Sequence, residues 1–371
     1  MTEKNGVEEM MNFLNNMNLL PKNFIVANIV EVLKEDPDNG VDKLYEMSGT
    51  FITDPQIKGV IDQIKQYYDT HPSIKRYVKN MMYNTNKTCL NHFLQNIAVK
   101  ELWEGISTRE EMAKKYSVAV PNALVLDLGM TCPLSGHGCT CLPHSGSVMP
   151  VAEVKRLVGE ARELGIHIVV LTGGDPFLEE RLLSVYEAYD DVEFIVLTTG
   201  LAMTPTVAER LSKIGNVFPL VILEGASTLD ATVYQSVLRS LDVMKGNGLL
   251  FGVLTPVTSK NVSEVTSDAF ILPLIRKGSR LNGYVISLRG TKTPLTNEAL
   301  IDLEEHISFI RETRPYVTAL LETDQMSKRC AVGSLAFHYG FDGQDQVLVF
   351  PRVTVQQTLN QPLIQVLRSM R

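Results

Sequence analysis

ALVLDLGMTCPLSGHGCTC, residues 123–141, begins as an apolar run of strand length and ends in a loop with three cysteines, Cys132, Cys139 and Cys141, within ten residues. The chain of 371 residues has only five cysteines. A tight cluster in a chain so poor in cysteine, with an odd total, does not suit a secreted disulfide framework. It reads first as a metal-binding or catalytic loop. Thiolates are soft ligands for zinc or iron–sulfur clusters. A structural zinc site wants four protein ligands, and His137 and His144 stand by as candidates for the fourth.

The run before the loop is the first of a series. HIVVLT (167–172), EFIVLTT (193–199), VFPLVILEG (217–225), LLFGVLTPV (249–257) and LNGYVISLRG (281–290) are apolar and of strand length. Between them lie amphipathic stretches such as VAEVKRLVGEARELG and TPTVAERLSKIG, each ending at a glycine. Strand and helix in alternation mean right-handed crossovers and a parallel sheet. Runs apolar throughout belong to strands covered on both faces. A closed or partly open barrel of such units places its site at the C-terminal ends of the strands. The cysteine loop follows the first strand there, TGGDP the second, TTG the third and EG the fourth.

Residues 1–117 lack repeated strand signals and read as a helical extension broken by EDPDNG, ITDP and THPS. VEEMMNFLNNM (7–17) and IKGVIDQIKQYY (57–68) carry apolar residues at helical spacing. The expected division is that extension, an α/β barrel over 118–322, and a small C-terminal appendage over 323–371. The appendage would hold a hairpin around YGFDGQDQVLVF and a final helix LIQVLRSMR. Cys89 and His167 read as core or strand-end residues, and Trp103 as an anchor for the extension. Glu322 and Asp324 follow a strand and read equally as mouth or surface charges.

A net charge of −7, with 44% hydrophobic and 21% charged residues, describes a globular chain and argues against a bulk nucleic-acid binder. No apolar run is long enough to cross a bilayer. The start, MTEKNGVEEMMNFLNN, is polar and acidic rather than basic then apolar, so the expected compartment is the cytoplasm.

In TGGDP, two glycines let the backbone approach a ligand and a proline stiffens the exit. Alone it is an ordinary turn. Combined with the cysteine loop, it resembles the radical S-adenosylmethionine (radical SAM) superfamily. VPNALVLDLGMTCPLSGHGC, ELGIHIVVLTGGDPFL, FIVLTTGLAMTPTVAERL and VFPLVILEGAS follow that family's first four units, and the likeness runs from about Val120 to Phe350. It looks closest to clostridial and archaeal members with a helical N-terminal extension and a short cysteine-bearing tail. The resemblance implies a partial (βα)6 barrel and a 4Fe–4S cluster held by C-x3-C-x2-C, with one iron left open for SAM. It further implies reductive cleavage of SAM to a 5′-deoxyadenosyl radical. An electron donor such as ferredoxin or flavodoxin would be needed, with an unidentified small molecule or peptide as substrate. Carried over by position, Gly173, Gly174, Asp175 and Pro176 would hold the SAM amino group through backbone carbonyls. Thr199 stands where the family usually has asparagine, and Glu224 where an acidic residue ends the fourth strand.

The departures fall on the metal ligands. From Cys132 the pattern requires cysteines at 136 and 139, but position 136 is Gly136. Cys141 and His137 are the candidates for the missing ligand, so the metal set reads Cys132, Cys139 and Cys141. Cys330 fits a first tail cysteine, while Leu348 stands at the second. Two other readings stay open. One is a cluster-deficient paralogue acting as a binding or regulatory partner. The other is a zinc protein using Cys132, Cys139, Cys141 and His144.

Overall fold

The computed structural model describes residues 22–51, 55–134, 148–287, 295–323, 335–339, 346–358 and 361–370. Gly136, His137, Cys139, Cys141, His144, Asp324, Cys330 and the expected helix over 7–17 lie outside these residues, as do the side chains of Trp103 and Glu322.

The six strands expected from the apolar runs form in order: β1 (Ala123–Asp127), β2 (Ile168–Thr172), β3 (Glu193–Thr198), β4 (Val217–Ile222), β5 (Gly252–Pro256) and β6 (Leu281–Ser287). Each pairs in parallel with the next. β7 (Val317–Thr323) adds a further parallel strand beside β6. The tail expected as an appendage enters the same sheet. β8 (Leu335–Tyr339) and β9 (Gln346–Phe350) continue from β7 as an antiparallel pair, and β10 (Arg352–Thr354) lies parallel to β1. Eight strands are thus parallel, in the order β10-β1-β2-β3-β4-β5-β6-β7. This is the α/β half-barrel that the resemblance implied. Only Pro351 separates β9 from β10, so the chain itself carries the sheet from its far edge back to β1. Proline suits that junction because it has no amide proton to donate to a ladder.

The strands are largely apolar because they bury both faces. Along β1, Leu124 and Leu126 pack into the large core beneath the surrounding helices, whereas Val125 joins a second cluster. That second cluster includes Val170, Leu197, Phe218, Leu220, Ile222, Leu254 and Val285 and fills the barrel's interior. Helix starts follow the capping residues: Thr204 before Pro205, Asp230, Ser267 and Thr296 each accept a backbone N–H of the first turn. The amphipathic helix over Val151–Glu163 and the tail helix over Leu363–Ser369 form as the sequence implied.

Between Lys22 and Tyr116 the described chain is helical. It has a small core of its own around Val30, Met82, Leu90 and Val99. It docks at the N-terminal ends of the strands, opposite the mouth. There Arg109 and Glu101 form a buried pair at 2.8 Å. Arg109 also donates to the Gly165 carbonyl at 2.6 Å, and Glu101 accepts from the His167 amide. Gly165 sits at φ +82°, and a Cβ there would meet Thr108 and the Gly105 carbonyl, so glycine is required for this close approach. His167 is a buried strand-end histidine whose Nδ1 lies 2.9 Å from the Asp191 carbonyl. Cys89 is buried in the core.

Candidate functional site

The site builds up from the end of β2. Gly173 and Gly174 have φ of +85° and +105°, a region that side chains avoid. Space reinforces the torsions. A Cβ at Gly173 would overlap the Asp127 carboxylate, and one at Gly174 would stand 2.5 Å from the Met130 carbonyl oxygen. The glycine loop is therefore pressed against the segment that leads from β1 toward Cys132. Two backbone bonds hold the two together, Leu128 N–H to the Thr172 carbonyl and Met130 N–H to the Gly173 carbonyl at 2.6 Å, while Met149 N–H donates to the Leu128 carbonyl from the far side of the cysteine loop. Cys132, two residues past Met130, is 5% exposed.

Asp175 turns inward and is fully buried. Its carboxylate accepts from the Thr198 hydroxyl (2.9 Å), the Thr199 hydroxyl (2.6 Å), the Thr199 amide (3.0 Å) and the Phe177 amide (3.3 Å). Burial pushes this carboxyl up from its ordinary range, and the donors oppose that push. The side chain thus ties the β2 loop to the end of β3 and turns away from the mouth. Thr199, 1% exposed, spends its hydroxyl on the same carboxylate.

The carbonyls of the motif divide by occupancy. That of Gly173 takes Met130 N–H, that of Asp175 takes Leu178 N–H, and that of Pro176 takes Glu179 N–H. The Gly174 carbonyl accepts no hydrogen bond from a described residue. Glu224, partly exposed, follows β4 at the same end of the sheet. Its carbonyl accepts from the Asn261 side chain at 2.8 Å, and that amide also holds the Pro256 carbonyl at the end of β5. Gly225, at φ +111°, leads into a turn whose Ala226 and Ser227 amides donate to the Glu264 carboxylate. The loops after β4 and β5 are thereby stapled together.

The described ones among the expected residues therefore gather at one end of the sheet. Gly173–Pro176 and Thr199 share one bonded network against the Cys132 segment, with Glu224 two strands away. Sequence reading passed over Asp127, Asn261, Glu264 and Arg352. An acidic residue closing an apolar strand was the available signal for Asp127. Arg352 carried no signal, since its guanidinium reaches Asp127 from 225 residues away. Among the described residues no three His, Cys, Asp or Glu side chains come together as a metal set. The donor set argued from sequence has one described member, Cys132, which is buried two residues beyond Met130.

No protein-family model matches the chain. Parts of it are similar to curated proteins. It is 24% identical over 161 residues to an AdoMet-dependent heme synthase of Methanosarcina barkeri, spanning 39% of this chain and 45% of that protein. It is 33% identical over 85 residues to a GTP 3′,8-cyclase of Syntrophomonas wolfei, spanning 20% of this chain and 26% of that protein. The chain thus matches less than half the length of either. Among solved structures, SuiB of Streptococcus suis aligns at 15% identity and a TM-score of 0.48, covering 60% of this chain and 55% of that one. A radical SAM methyltransferase from Sphaerobacter thermophilus aligns at 14% identity and a TM-score of 0.38, covering 55% and 67%. The half-barrel described above and these partial likenesses agree with the resemblance read from the sequence. Among the described residues no helix is long and apolar enough to cross a membrane.

Proposed function

We propose that the chain is a radical SAM-type iron–sulfur protein that binds S-adenosylmethionine at the barrel mouth. The observation that carries this reading is the glycine loop. It is built tightly against the Cys132 segment, its aspartate is consumed in buried hydrogen bonds, and the Gly174 carbonyl is left to accept from a ligand. In this reading Gly174 takes the methionine amino group, while Gly173, Asp175, Pro176 and Thr199 hold the loop in shape. Glu224 faces the remainder of the ligand. Cys132, Cys139 and Cys141 would hold the cluster. When bound, it supplies the electron for reductive cleavage of SAM, delivered by a donor such as ferredoxin or flavodoxin. The substrate is a small molecule or a peptide.

A second reading has its own observation, Gly136 at the place of the middle cysteine. A cluster-deficient protein would retain the SAM pocket and act as a binding or regulatory partner. One experiment separates the two: anaerobic reconstitution with iron and sulfide, followed by iron counting and visible absorbance. The first reading expects about four irons per chain in the wild type and their loss in Cys141→Ala. The second expects iron only in Gly136→Cys, which completes the family spacing. Zinc copurifying with the wild type, in place of iron, would overturn both.

A further inference from the structure

We propose that Arg352, in the last strand of the tail, is a positioning residue for the glycine loop, so that the tail sets the geometry of the SAM site as well as completing the sheet. Each link is a single contact. β10 lies beside β1 with Arg352 in register with Val125. The Arg352 guanidinium pairs with the Asp127 carboxylate, and Asp127 is 5% exposed. Asp127 Oδ1 accepts from the Gly129 amide at 2.9 Å and occupies the space where a Gly173 side chain would begin. The next residue, Met130, donates its amide to the Gly173 carbonyl. Arg352 therefore orients the carboxylate that shapes the Gly129–Met130 turn. That turn claims the Gly173 carbonyl and leaves the Gly174 carbonyl to a ligand. Without the guanidinium, a buried carboxylate loses its cation and seeks water or another donor. The wall against which Gly173 rests moves with it.

This inference rests on the reading that the loop receives the amino group of SAM. Calorimetry on the full chain would compare SAM with 5′-methylthioadenosine, which keeps the nucleoside and lacks the amino-acid portion. The wild type is expected to prefer SAM. In Arg352→Gln the SAM affinity is expected to fall roughly tenfold or more, the scale on which residues orienting a direct contact act. The affinity for methylthioadenosine is expected to hold. Arg352→Lys, which keeps the charge, is expected to recover part of the loss. Asp127→Asn gives the same comparison should the glutamine variant not fold. An unchanged preference for SAM in a folded variant overturns the proposal. So does a parallel loss of both ligands, the mark of a merely structural ion pair. If the wild type itself shows no preference for SAM, the SAM reading fails and the proposal falls with it.

Discussion

Gly173, Gly174 and Asp175 show how little freedom single residues have in this loop. Both glycines combine a positive φ with a neighbour that leaves no room for a methyl group. Gly174→Ala is expected to cost roughly 2–4 kcal/mol, from left-handed backbone strain plus overpacking. Urea denaturation measures it, and a cost below about 0.5 kcal/mol would mean that the loop shifts freely. Asp175 is constrained by its partners. Asp175→Ala would leave two threonine hydroxyls and two amides in a buried site without their acceptor. Buried donors left unpaired cost about 1–3 kcal/mol each when they find no substitute, so a loss of several kcal/mol is expected. Asp175→Asn, which keeps the shape and one carbonyl oxygen, should lose less. An alanine variant as stable as the asparagine variant would count against the network. The sequence displayed the Gly-Gly-Asp-Pro string but not that its aspartate points inward. Composition does not tell whether a carboxylate meets solvent or a pair of threonines.

At the scale of elements, the helical extension grips the barrel by polar contacts at the strand starts. The Glu101–Arg109 pair is buried enough that burial pushes the glutamate up and the arginine down despite their attraction. Removing one partner strands the other, so Arg109→Met should cost roughly 3–5 kcal/mol. The double variant Glu101→Leu/Arg109→Met should cost clearly less than the two single losses together, and additive losses in a double-mutant cycle would show that the pair is not coupled. Beside it, Glu193 opens β3, almost fully buried, with the Asn96 amide donating to it at 3.2 Å. Burial pushes its carboxyl up to about 8, with the Asn96 hydrogen bond pulling the other way. The folded state thus favours the protonated acid. The associated stability is full below the unfolded carboxylate range, near pH 4.3, and is lost as pH rises through about 8. Relative to Glu193→Gln, the wild type is expected to lose a few kcal/mol between about pH 4.5 and 8.5. Denaturation curves at the two ends check this, and equal pH slopes would show that Glu193 is not buried as an acid.

At the scale of the whole molecule, the tail extends the sheet at both of its ends. β8 and β9 extend from β7, and β10 returns beside β1. A chain ending after Thr323 would expose the β1 edge and lose the Arg352 contact to Asp127. It is expected to melt more than about 10 °C below the full chain or to aggregate, as open strand edges do. A truncated chain that melts like the full one would show that β10 contributes nothing to the barrel. The parallel βα repeat and the position of its mouth were determined by sequence alone. Strands buried on both faces must be largely apolar, and that pattern is local enough to read from adjacent residues. The clustering of the glycine motif with the Cys132 segment followed from the same rule, since successive strand ends share one rim. Only the tertiary structure decided which strand lies on the open side of β1. It also decided that Asp175 faces inward and Arg352 reaches Asp127. Those outcomes depend on pairs far apart in the chain, whose hydrogen bonds and charges leave no periodic trace in the sequence that forms them.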